Sequence, residues 1–383
     1  MMYFWYIIQF LIGYNLVLPI VLYILFRLAK RSGQKAAPGI DAFNADYAII
    51  VTAYQEIAHI PETVQSILRL KHTNFICYVV LDNCSDISSL HFDDERIILL
   101  RPEQTLGGNV RSHLYAMRHF KRNHDYLTII DSDNLVDEYY LDHLNTFFKH
   151  GFNAVQGLRA AKNLDSQYAC LDAARDIYYH FYDGEVLFHL GSSATLSGSG
   201  MAFSVALYEE CLGGKDVSGA GFDKVLQYEI IRRGNRIAFA EKAIVYDQKT
   251  SKSSQLVNQR ARWINTWFRY FSLGFKLIGL GVRKASVNQF LFGIVLLRPP
   301  LFIFLMLSVL CLLVNLIVAP VLSLMWALSF LLFVLGFLLP LRGADKRIIK
   351  ALKHIPSFMF YQVISLMHSR NANKRSVATK HFE

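Results

Sequence analysis

Residues 126–134 read YLTIIDSDN, a short run of Ile, Leu, Thr and Tyr that ends in polar residues. Such a run predicts a buried strand, and Asp131 and Asp133 follow directly at its end. Similar runs alternate along the chain with helical patterns; the runs are 47–51, 76–81 and 96–100, and the helical patterns are 61–70, 109–122 and 137–150. This alternation predicts an α/β fold, in which a mainly parallel sheet has helices on both faces.

The residues that follow each predicted strand form the first candidate site, because ligands of such sheets bind outside the carboxyl ends of the strands. These residues are Thr52, Tyr54, Glu56, Asp82, Asp131 and Asp133. A D-x-D pair suits Mg2+ or Mn2+ held partly by substrate phosphates, provided that a turn beginning at Ser132 brings both carboxylates to one ion. The alternative is that Asp133 or Asn134 caps the following helix. Asp82 either contacts a sugar or base edge or caps a turn.

Three later segments carry side chains that suit a substrate. Gly198 and Ser199 lie in a loop of small residues, which either lets a substrate approach the backbone or forms a plain turn. Asp223 begins a helical pattern that ends at Gly234, so it is either a functional carboxylate or an N-cap. The third segment, residues 259–263, reads QRARW.

The QRARW segment has two open interpretations. Gln259 and Arg262 suit a diphosphate, and Trp263 suits the apolar face of a sugar ring. The alternative is an aromatic belt at a membrane surface, formed by Trp263 and Trp267.

The composition indicates a membrane protein with a large polar domain. Of 383 residues, 53% are hydrophobic and 18% are charged, and the net charge is +10. An ordinary soluble domain carries about 25% charged residues. The chain has no GxGxxG after a strand, no P-loop and no HExxH motif, which excludes those nucleotide and zinc sites. Five scattered Cys without a CxxC pair exclude a disulfide scaffold.

Two segments without charge, 3–26 and 301–341, are long enough for one and two membrane spans respectively. Pro320 marks the expected turn between the last two spans. Basic residues follow the first span and flank the second segment on both sides, so the positive-inside rule places the domain between them in the cytosol. The shorter apolar stretches Val287–Leu297 and 355–367 are predicted to be interfacial helices, although 355–367 could also be a short extra span.

The predicted organisation has five parts. They are an N-terminal transmembrane helix (1–27), a cytosolic catalytic domain (40–272), an interfacial helix region (273–300), two transmembrane helices (301–341), and a basic cytosolic tail with an interfacial helix (342–383).

These motifs together resemble those of the membrane-bound family 2 glycosyltransferases, which include cellulose, chitin and hyaluronan synthases. The similar segments are TAYQE (52–56), LDNCSD (81–86), DSDN (131–134), SGSGMAF (197–203) and QRARW (259–263). The resemblance implies a nucleotide-sugar-binding domain of GT-A type, inserted between transmembrane helices. Two departures stand out: Phe222 replaces the Glu that usually precedes the catalytic Asp, and Gly107-Gly108 replaces a Gly-Lys pair, unless Arg111 substitutes for the lysine.

The resemblance also implies a role for each site residue. Asp223 would be the catalytic base, and Asp131 and Asp133 would hold Mg2+ or Mn2+. The donor would contact Thr52, Tyr54, Glu56, Asp82, Asp131, Gln259 and Arg262. The acceptor would contact Gly198, Ser199 and Trp263.

The expected function is therefore an inverting transfer of a sugar from a nucleotide sugar, a UDP-sugar being the leading donor, to a growing polysaccharide. The alternatives are a non-processive transferase with a lipid-linked acceptor and a catalytically inactive membrane scaffold. The expected partners are the donor, the acceptor and a lipid bilayer, with homo-oligomers allowed and nucleic acid excluded. The expected location is the plasma membrane, with several spans and a cytosolic catalytic domain.

Overall fold

The computed structural model describes residues 2–31, 43–217 and 219–372. Residue 1, the start of the predicted catalytic domain at 40–42 and the end of the predicted tail at 373–383 lie outside the described residues.

Eight strands in the described ranges form one sheet. They are β1 (Tyr47–Tyr54), β2 (Phe75–Asp82), β3 (Ile97–Leu100), β4 (Tyr126–Asp131), β5 (Leu135–Val136), β6 (Ala154–Ala161), β7 (Met201–Ser204) and β8 (Ala238–Asp247). Their order across the sheet is β3-β2-β1-β4-β7-β6-β8-β5. The four strands predicted from the sequence are confirmed and lie side by side as β3-β2-β1-β4.

The sheet is mixed, which corrects the prediction of a mainly parallel one. Neighbours within β3-β2-β1-β4 are parallel, as are β6 and β8, but β7 is antiparallel to both β4 and β6. The chain leaves β6 at its carboxyl end, forms a long helical segment, and re-enters the sheet from the same edge. Because β7 starts at that edge, it must run against its neighbours.

The described residues contain the following α-helices: α1 (Met2–Arg31), α2 (Ile60–Leu68), α3 (Asn109–Arg118), α4 (Tyr140–Phe148), α5 (Gln167–Tyr179), α6 (Leu187–His189), α7 (Val205–Leu212), α8 (Phe222–Arg232), α9 (Ser253–Tyr270), α10 (Leu273–Arg283), α11 (Val287–Leu297), α12 (Leu301–Val318), α13 (Pro320–Leu338), α14 (Lys346–Ala351) and α15 (Ile355–His368). A π-helical segment, His180–Val186, joins α5 to α6.

The predicted helices of the domain are confirmed, and most of their ends are shorter than predicted. Helix α4 begins at Tyr140 rather than at Asp137, because the backbone N–H of Asp137 bonds to the carbonyl of Ile244 on β8 at 3.0 Å. Helix α3 ends at Arg118 in a tighter turn, where the N–H of His119 bonds to the carbonyl of Ala116 at 2.9 Å. The periodicity of apolar residues does not reveal such local hydrogen bonds, so the exact helix ends could not be predicted from the sequence.

Apolar side chains cover both faces of the sheet, as the alternation predicted. Tyr47, Ile49 and Val51 of β1 pack into a cluster that includes α2 and α4. Ala48 and Ile50 point to the opposite face, where the cluster includes α3 and α8. This two-sided burial leaves the ends of the strands as the accessible edges of the sheet.

Among the described residues, three helices are long and apolar enough to cross a membrane: α1 over Tyr3–Ala29, α12 and α13. Only Ala319 separates α12 from α13, which begins at Pro320, where the sequence predicted the turn. The side chain of Gln9 on α1 accepts a hydrogen bond from the indole N–H of Trp326 on α13 at 2.7 Å. This buried contact links the N-terminal helix to the distant hairpin.

Two shorter apolar helices contact the domain. Helix α11 packs against α10, and its Gln289 donates a hydrogen bond to the carbonyl of Ile231 at the end of α8 at 3.0 Å. Helix α15 packs along α9, and Asn265 of α9 donates to the carbonyl of Ser369 at 2.9 Å. One side of each helix therefore contacts the rest of the protein. That the other side lies on the membrane surface stays a prediction.

Candidate active site

The sheet register brings the predicted donor residues to one edge. Thr52 of β1 lies opposite Asp131 of β4, and Tyr54 lies opposite Asp82 of β2. Gln55 follows β1 with a positive φ of 62°, and its N–H bonds to the carbonyl of Asp82 at 3.1 Å. Such a left-handed non-glycine residue requires surrounding contacts to hold it, and it lies at the carboxyl edge where ligands bind.

The DSDN segment forms a closed turn. The N–H of Asn134 bonds to the carbonyl of Asp131 at 3.1 Å, and Thr63 of α2 donates to the carbonyl of Ser132 at 2.8 Å. The chain then enters β5, and helix α4 starts later, with Tyr139 as its N-cap residue. The alternative that Asp133 or Asn134 caps that helix is therefore wrong.

Ser199 lies beneath this turn. Its hydroxyl accepts hydrogen bonds from the N–H of Asp131 at 3.1 Å and from the side-chain amide of Asn134 at 2.8 Å. The side chain is fully buried. Sequence reasoning predicted an acceptor contact for Ser199, whereas the structure places its hydroxyl under the DSDN turn.

Gly198 lies beside Ser199 in a different environment. It is partly exposed and has a φ of 93°, in the left-handed region that favours glycine. Among the described residues other than Gly198 and its two chain neighbours, no atom lies within 4 Å of the point that a Cβ would occupy. This position therefore has room for a substrate to approach the backbone.

The two carboxylates of the turn make an electrostatically crowded pair. Burial, followed by the charge of Asp133, raises the pKa of Asp131 to about 7, although the guanidinium of Arg159 opposes the shift. Within the ranges that the structure describes, no three His, Cys, Asp or Glu side chains converge as a metal cage. Two carboxylates at a crowded turn fit a divalent cation that takes its other ligands from donor phosphates and water.

Asp82 and Glu56 already hold backbone loops. The two carboxylate oxygens of Asp82 accept the N–H groups of Leu106 and Gly107, both at 2.8 Å. Glu56 accepts the N–H of Ile57 at 3.0 Å. Asp82 thus caps a turn, the second role that the sequence allowed. A cavity of about 530 Å³ lies beside it; the lining includes Leu81, Asn83, Cys84, Ser85, Arg101 and Thr105.

The side chain of Arg111 is held by protein partners. Its guanidinium bonds to Asp216 at 2.7 and 3.0 Å and donates to the carbonyl of Leu106 at 3.1 Å. In this arrangement the arginine helps to fix the loop at Leu106 and Gly107 that Asp82 caps.

Asp223 is the second residue of α8, not its N-cap. The residue before the helix is Gly221, with a φ of 98°, so the N-cap alternative for Asp223 is wrong. The ammonium of Lys224 lies 3.1 Å from the carboxylate of Asp223 and donates to the carbonyl of Leu196 at 3.0 Å. The charge of Asp223 makes a minor contribution to the raised pKa of Asp131, after burial and the charges of Asp133 and Asp247.

Helix α9, which carries the QRARW segment, packs against the start of α8 through Thr266 and Tyr270. A Cβ on Gly221 would lie 2.5 Å from Thr266 Cγ2 and 2.9 Å from the ring of Tyr270. Arg262, Thr266 and Tyr270 are spaced four apart, so they share one face of the helix. That face is turned toward the start of α8, and burial lowers the pKa of Arg262. Gln259, one turn earlier than Trp263, is half-buried.

A buried ion-pair network lies beside the site and was not predicted from the sequence. Arg159 of β6 pairs with Asp247 at 2.6 Å, and Lys249 pairs with Asp247 at 2.7 Å and also with Asp176 of α5. Burial disfavours the ammonium of Lys249, yet the charges of Asp176 and Asp247 outweigh it and raise its pKa to about 12. Only Asp247 has a signal in the sequence, because it ends β8 as Asp131 ends β4; its partners come from distant elements.

Comparisons with known proteins agree with this geometry. Residues 45–266, more than half of the chain, match the family described as Glycosyltransferase like family 2. The fold is similar to that of the mannosyltransferase PcManGT from Pyrobaculum calidifontis, solved with GDP-Man and Mn2+. The TM-score is 0.59 at 15% identity, over 94% of this chain and 97% of that one.

The structure of S. aureus TarS 1-349 with UDP-GlcNAc gives a TM-score of 0.45 at 14% identity, over 85% of this chain and 90% of that one. A search of curated proteins finds no match. The family match covers the strand ends, the DSDN turn, Asp223 and most of α9. The chain therefore belongs to the Glycosyltransferase like family 2, and its α/β domain has a GT-A-like fold.

Proposed function

We propose that this glycosyltransferase is membrane-embedded and transfers a sugar from a nucleotide-sugar donor to an acceptor hydroxyl with inversion at the anomeric carbon. The observation that supports the proposal is that the charge of Asp223 acts on Asp131, while α9, the helix that carries Arg262, packs against Gly221 at the start of α8. The resemblance to cellulose, chitin and hyaluronan synthases supports the finer assignment as a polysaccharide synthase.

The reaction would be a single displacement. The carboxylate of Asp223 takes the proton of the acceptor hydroxyl as its oxygen forms a bond to the anomeric carbon. The bond from that carbon to the diphosphate oxygen breaks, and the electron pair leaves with the nucleoside diphosphate. Arg262 stabilises the charge that develops on the leaving group. Lys224, 3.1 Å from Asp223, helps to hold the base in place.

Asp131 and Asp133 would hold Mg2+ or Mn2+ together with the donor diphosphate. When bound, the cation supplies Lewis-acid stabilisation to the leaving diphosphate. It also offsets the repulsion between the two carboxylates, which burial makes costly. Thr52 and Tyr54 lie at the same edge and would contact the nucleoside, beside the cavity next to Asp82.

The donor nucleotide remains part of the proposal. A UDP-sugar is favoured by the resemblance to the polysaccharide synthases. The fold similarity to PcManGT, which was solved with GDP-Man, makes a GDP-sugar the second donor to test.

A second candidate acceptor is a lipid-linked one, and the packing of the apolar helices favours it. Leu16, Phe304, Cys311, Trp326 and Phe333 are buried between α1, α12 and α13. Side chains fill the centre of this bundle, which leaves little room for a polysaccharide to pass through a single copy. A lipid-linked acceptor would reach the site at the membrane surface, and an oligomer would restore room for a secreted chain.

The experiment that tests the proposal is a donor panel. Purified protein in lipid vesicles with Mg2+ or Mn2+ is given UDP- and GDP-sugars, and both nucleoside diphosphate release and product size are measured. A long product supports the polysaccharide synthase, and a lipid with a single added sugar supports the non-processive transferase. Failure to consume any donor, with the fold intact, would favour the inactive scaffold.

A further inference from the structure

The ring of Trp263 lies against two arginine side chains from different helices. The guanidinium carbon of Arg260, on the same helix α9, lies 4.1 Å from the centroid of the Trp263 ring. The guanidinium carbon of Arg175, on α5, lies 4.3 Å from the same centroid. Both distances are within the range of a cation–π contact. Trp263 keeps 39% of its surface exposed, so part of the residue stays open to a ligand.

Asp172 joins the two arginines. Its carboxylate bonds to Arg260, and it lies 3.4 Å from the guanidinium of Arg175. The side chains of Asp172 and Arg260 are each 3% exposed. Buried charges are costly unless they are paired, so this arrangement fixes the two guanidinium groups relative to each other.

A chain of buried ion pairs connects Asp172 and the two arginines to the donor side of the site. Arg175 also pairs with Asp176, which pairs with Lys249. Lys249 in turn shares Asp247 with Arg159, whose charge acts on Asp131. The ion-pair network therefore extends from the arginines beside Trp263 to Arg159, whose charge acts on the DSDN turn.

We propose that Arg260 and Arg175, joined by Asp172, are positioning residues that hold the Trp263 ring as the platform for the acceptor sugar. This inference rests on the proposed function, because it assigns to Trp263 the acceptor contact. A ring held by two guanidinium groups loses little mobility when a sugar stacks on its open surface, so binding costs less entropy. Arg260 and Arg175 act through Trp263 and need no contact with the substrate.

The test compares transfer with donor hydrolysis, since hydrolysis uses the donor site without the acceptor. The probe is native membrane vesicles from expressing cells, given the radiolabelled nucleotide sugar that the donor panel identifies. Label in the membrane fraction reports transfer to endogenous acceptors, and free labelled sugar reports hydrolysis. The variants are Arg260→Lys and Arg175→Lys, each alone and in a Trp263→Ala background.

In the single variants the ratio of transfer to hydrolysis is expected to fall by about tenfold, because lysine keeps the charge beside Asp172 but loses the planar stack. In the Trp263→Ala background the same substitutions should change the ratio by less than about twofold, as expected for residues that act through that ring. Using two arginines keeps the test decisive if one variant does not fold, as judged by its melting temperature.

Arg96→Lys is the matched control. Arg96 forms an ion pair with Asp94 at 2.7 Å, and its guanidinium carbon lies 4.7 Å from the centroid of the Phe75 ring. It directly precedes β3, the strand at one edge of the sheet, and is not part of the network at α9. This variant should leave the ratio unchanged. An equal loss in the Trp263→Ala background, or equal losses of transfer and hydrolysis, would overturn the inference. A wild-type protein that transfers no label would instead refute the proposed function.

Discussion

The hydroxyl of Ser199 accepts a hydrogen bond from the backbone N–H of Asp131 at 3.1 Å, across 68 positions of sequence. The same oxygen accepts a second hydrogen bond, from the side chain of Asn134. The SGSG loop before β7 thus sets the shape of the turn that carries both predicted metal ligands. Gln156 of β6 supports that loop in turn, because its amide donates to the carbonyl of Ser199 at 3.1 Å.

The first prediction is that Ser199→Ala weakens donor and metal binding by about tenfold and lowers stability by about 1–3 kcal/mol, because two buried donors lose their acceptor. Calorimetric titration with Mn2+ and nucleotide sugar, together with thermal unfolding, measures both effects. Ser204→Ala serves as the control, since Ser204 only caps α7 through the N–H of Leu207. It should lose stability but keep donor affinity. Wild-type affinities in Ser199→Ala would contradict the role given to this hydroxyl.

The second prediction concerns the metal site. Asp133→Asn should lower transfer by at least about two decades, since it removes a charged ligand that stabilises the transition state through the cation. Chelation by EDTA should have the same effect on the wild-type protein, and Mn2+ or Mg2+ should restore activity. Full transfer in EDTA would refute the metal role of Asp131 and Asp133.

The strand ends could be predicted from the sequence because they depend on local pattern. Apolar runs followed by polar residues gave β1 to β4, and the parallel register then places Thr52 opposite Asp131. The antiparallel β7 could not be predicted, since its direction depends on where the chain re-enters the sheet after a long helical segment.

The hydrogen-bond and ion-pair partners of individual side chains could not be predicted from the sequence either. Asp82 and Ser199 were predicted to contact substrate, with a turn cap as the alternative for Asp82. The sequence did not reveal that Asp82 accepts two backbone N–H groups, or that Ser199 accepts the N–H of Asp131 and the side chain of Asn134. The network through Asp172, Asp176 and Lys249 is assembled from distant elements, and no spacing in the sequence reveals it. Long-range polar contacts are a property of the packed fold, whereas apolar periodicity is a property of each element.

The third prediction is a loss of stability in acid that depends on His113. This residue is fully buried beside Phe222, with its Nδ1 2.6 Å from the Tyr208 hydroxyl, and burial lowers its pKa to about 3. Because folding lowers this pKa, the stabilisation is complete above about pH 6.5 and is lost as the pH falls toward about 3. At pH 5 the cost should be about 2 kcal/mol.

Thermal unfolding of wild type and His113→Gln between pH 7 and pH 5 measures this effect. Burial also lowers the pKa of His180, to about 4, so both proteins should lose some stability in acid. The diagnostic quantity is the difference, and the loss should be smaller in His113→Gln. Parallel curves would contradict the assignment to His113.

The fourth prediction concerns topology. Basic residues follow the apolar segment 3–26 of α1 and flank the α12–α13 hairpin, so the catalytic domain and the C-terminus are expected in the cytosol. A tag fused to the C-terminus should be protected from protease in intact cells and become accessible after permeabilisation. A tag before α1 should be accessible from outside. A C-terminal tag that is cleaved in intact cells would indicate that α15 crosses the membrane.

The central claim is that Asp223 is the base of a sugar transfer, and Asp223→Asn tests it most directly. The substitution preserves shape at the second position of α8 but removes the proton acceptor, so transfer should fall by roughly two to four decades. Asp345→Asn, at an exposed ion pair with Arg347, is the matched control and should transfer at the wild-type rate.

The deciding measurement is donor affinity and transfer rate on the same preparation of Asp223→Asn, with the donor that the wild type consumes. The account predicts wild-type donor affinity together with a transfer rate lowered by those two to four decades. Near-normal transfer would contradict it, and a joint loss of binding and transfer would assign Asp223 a structural role instead.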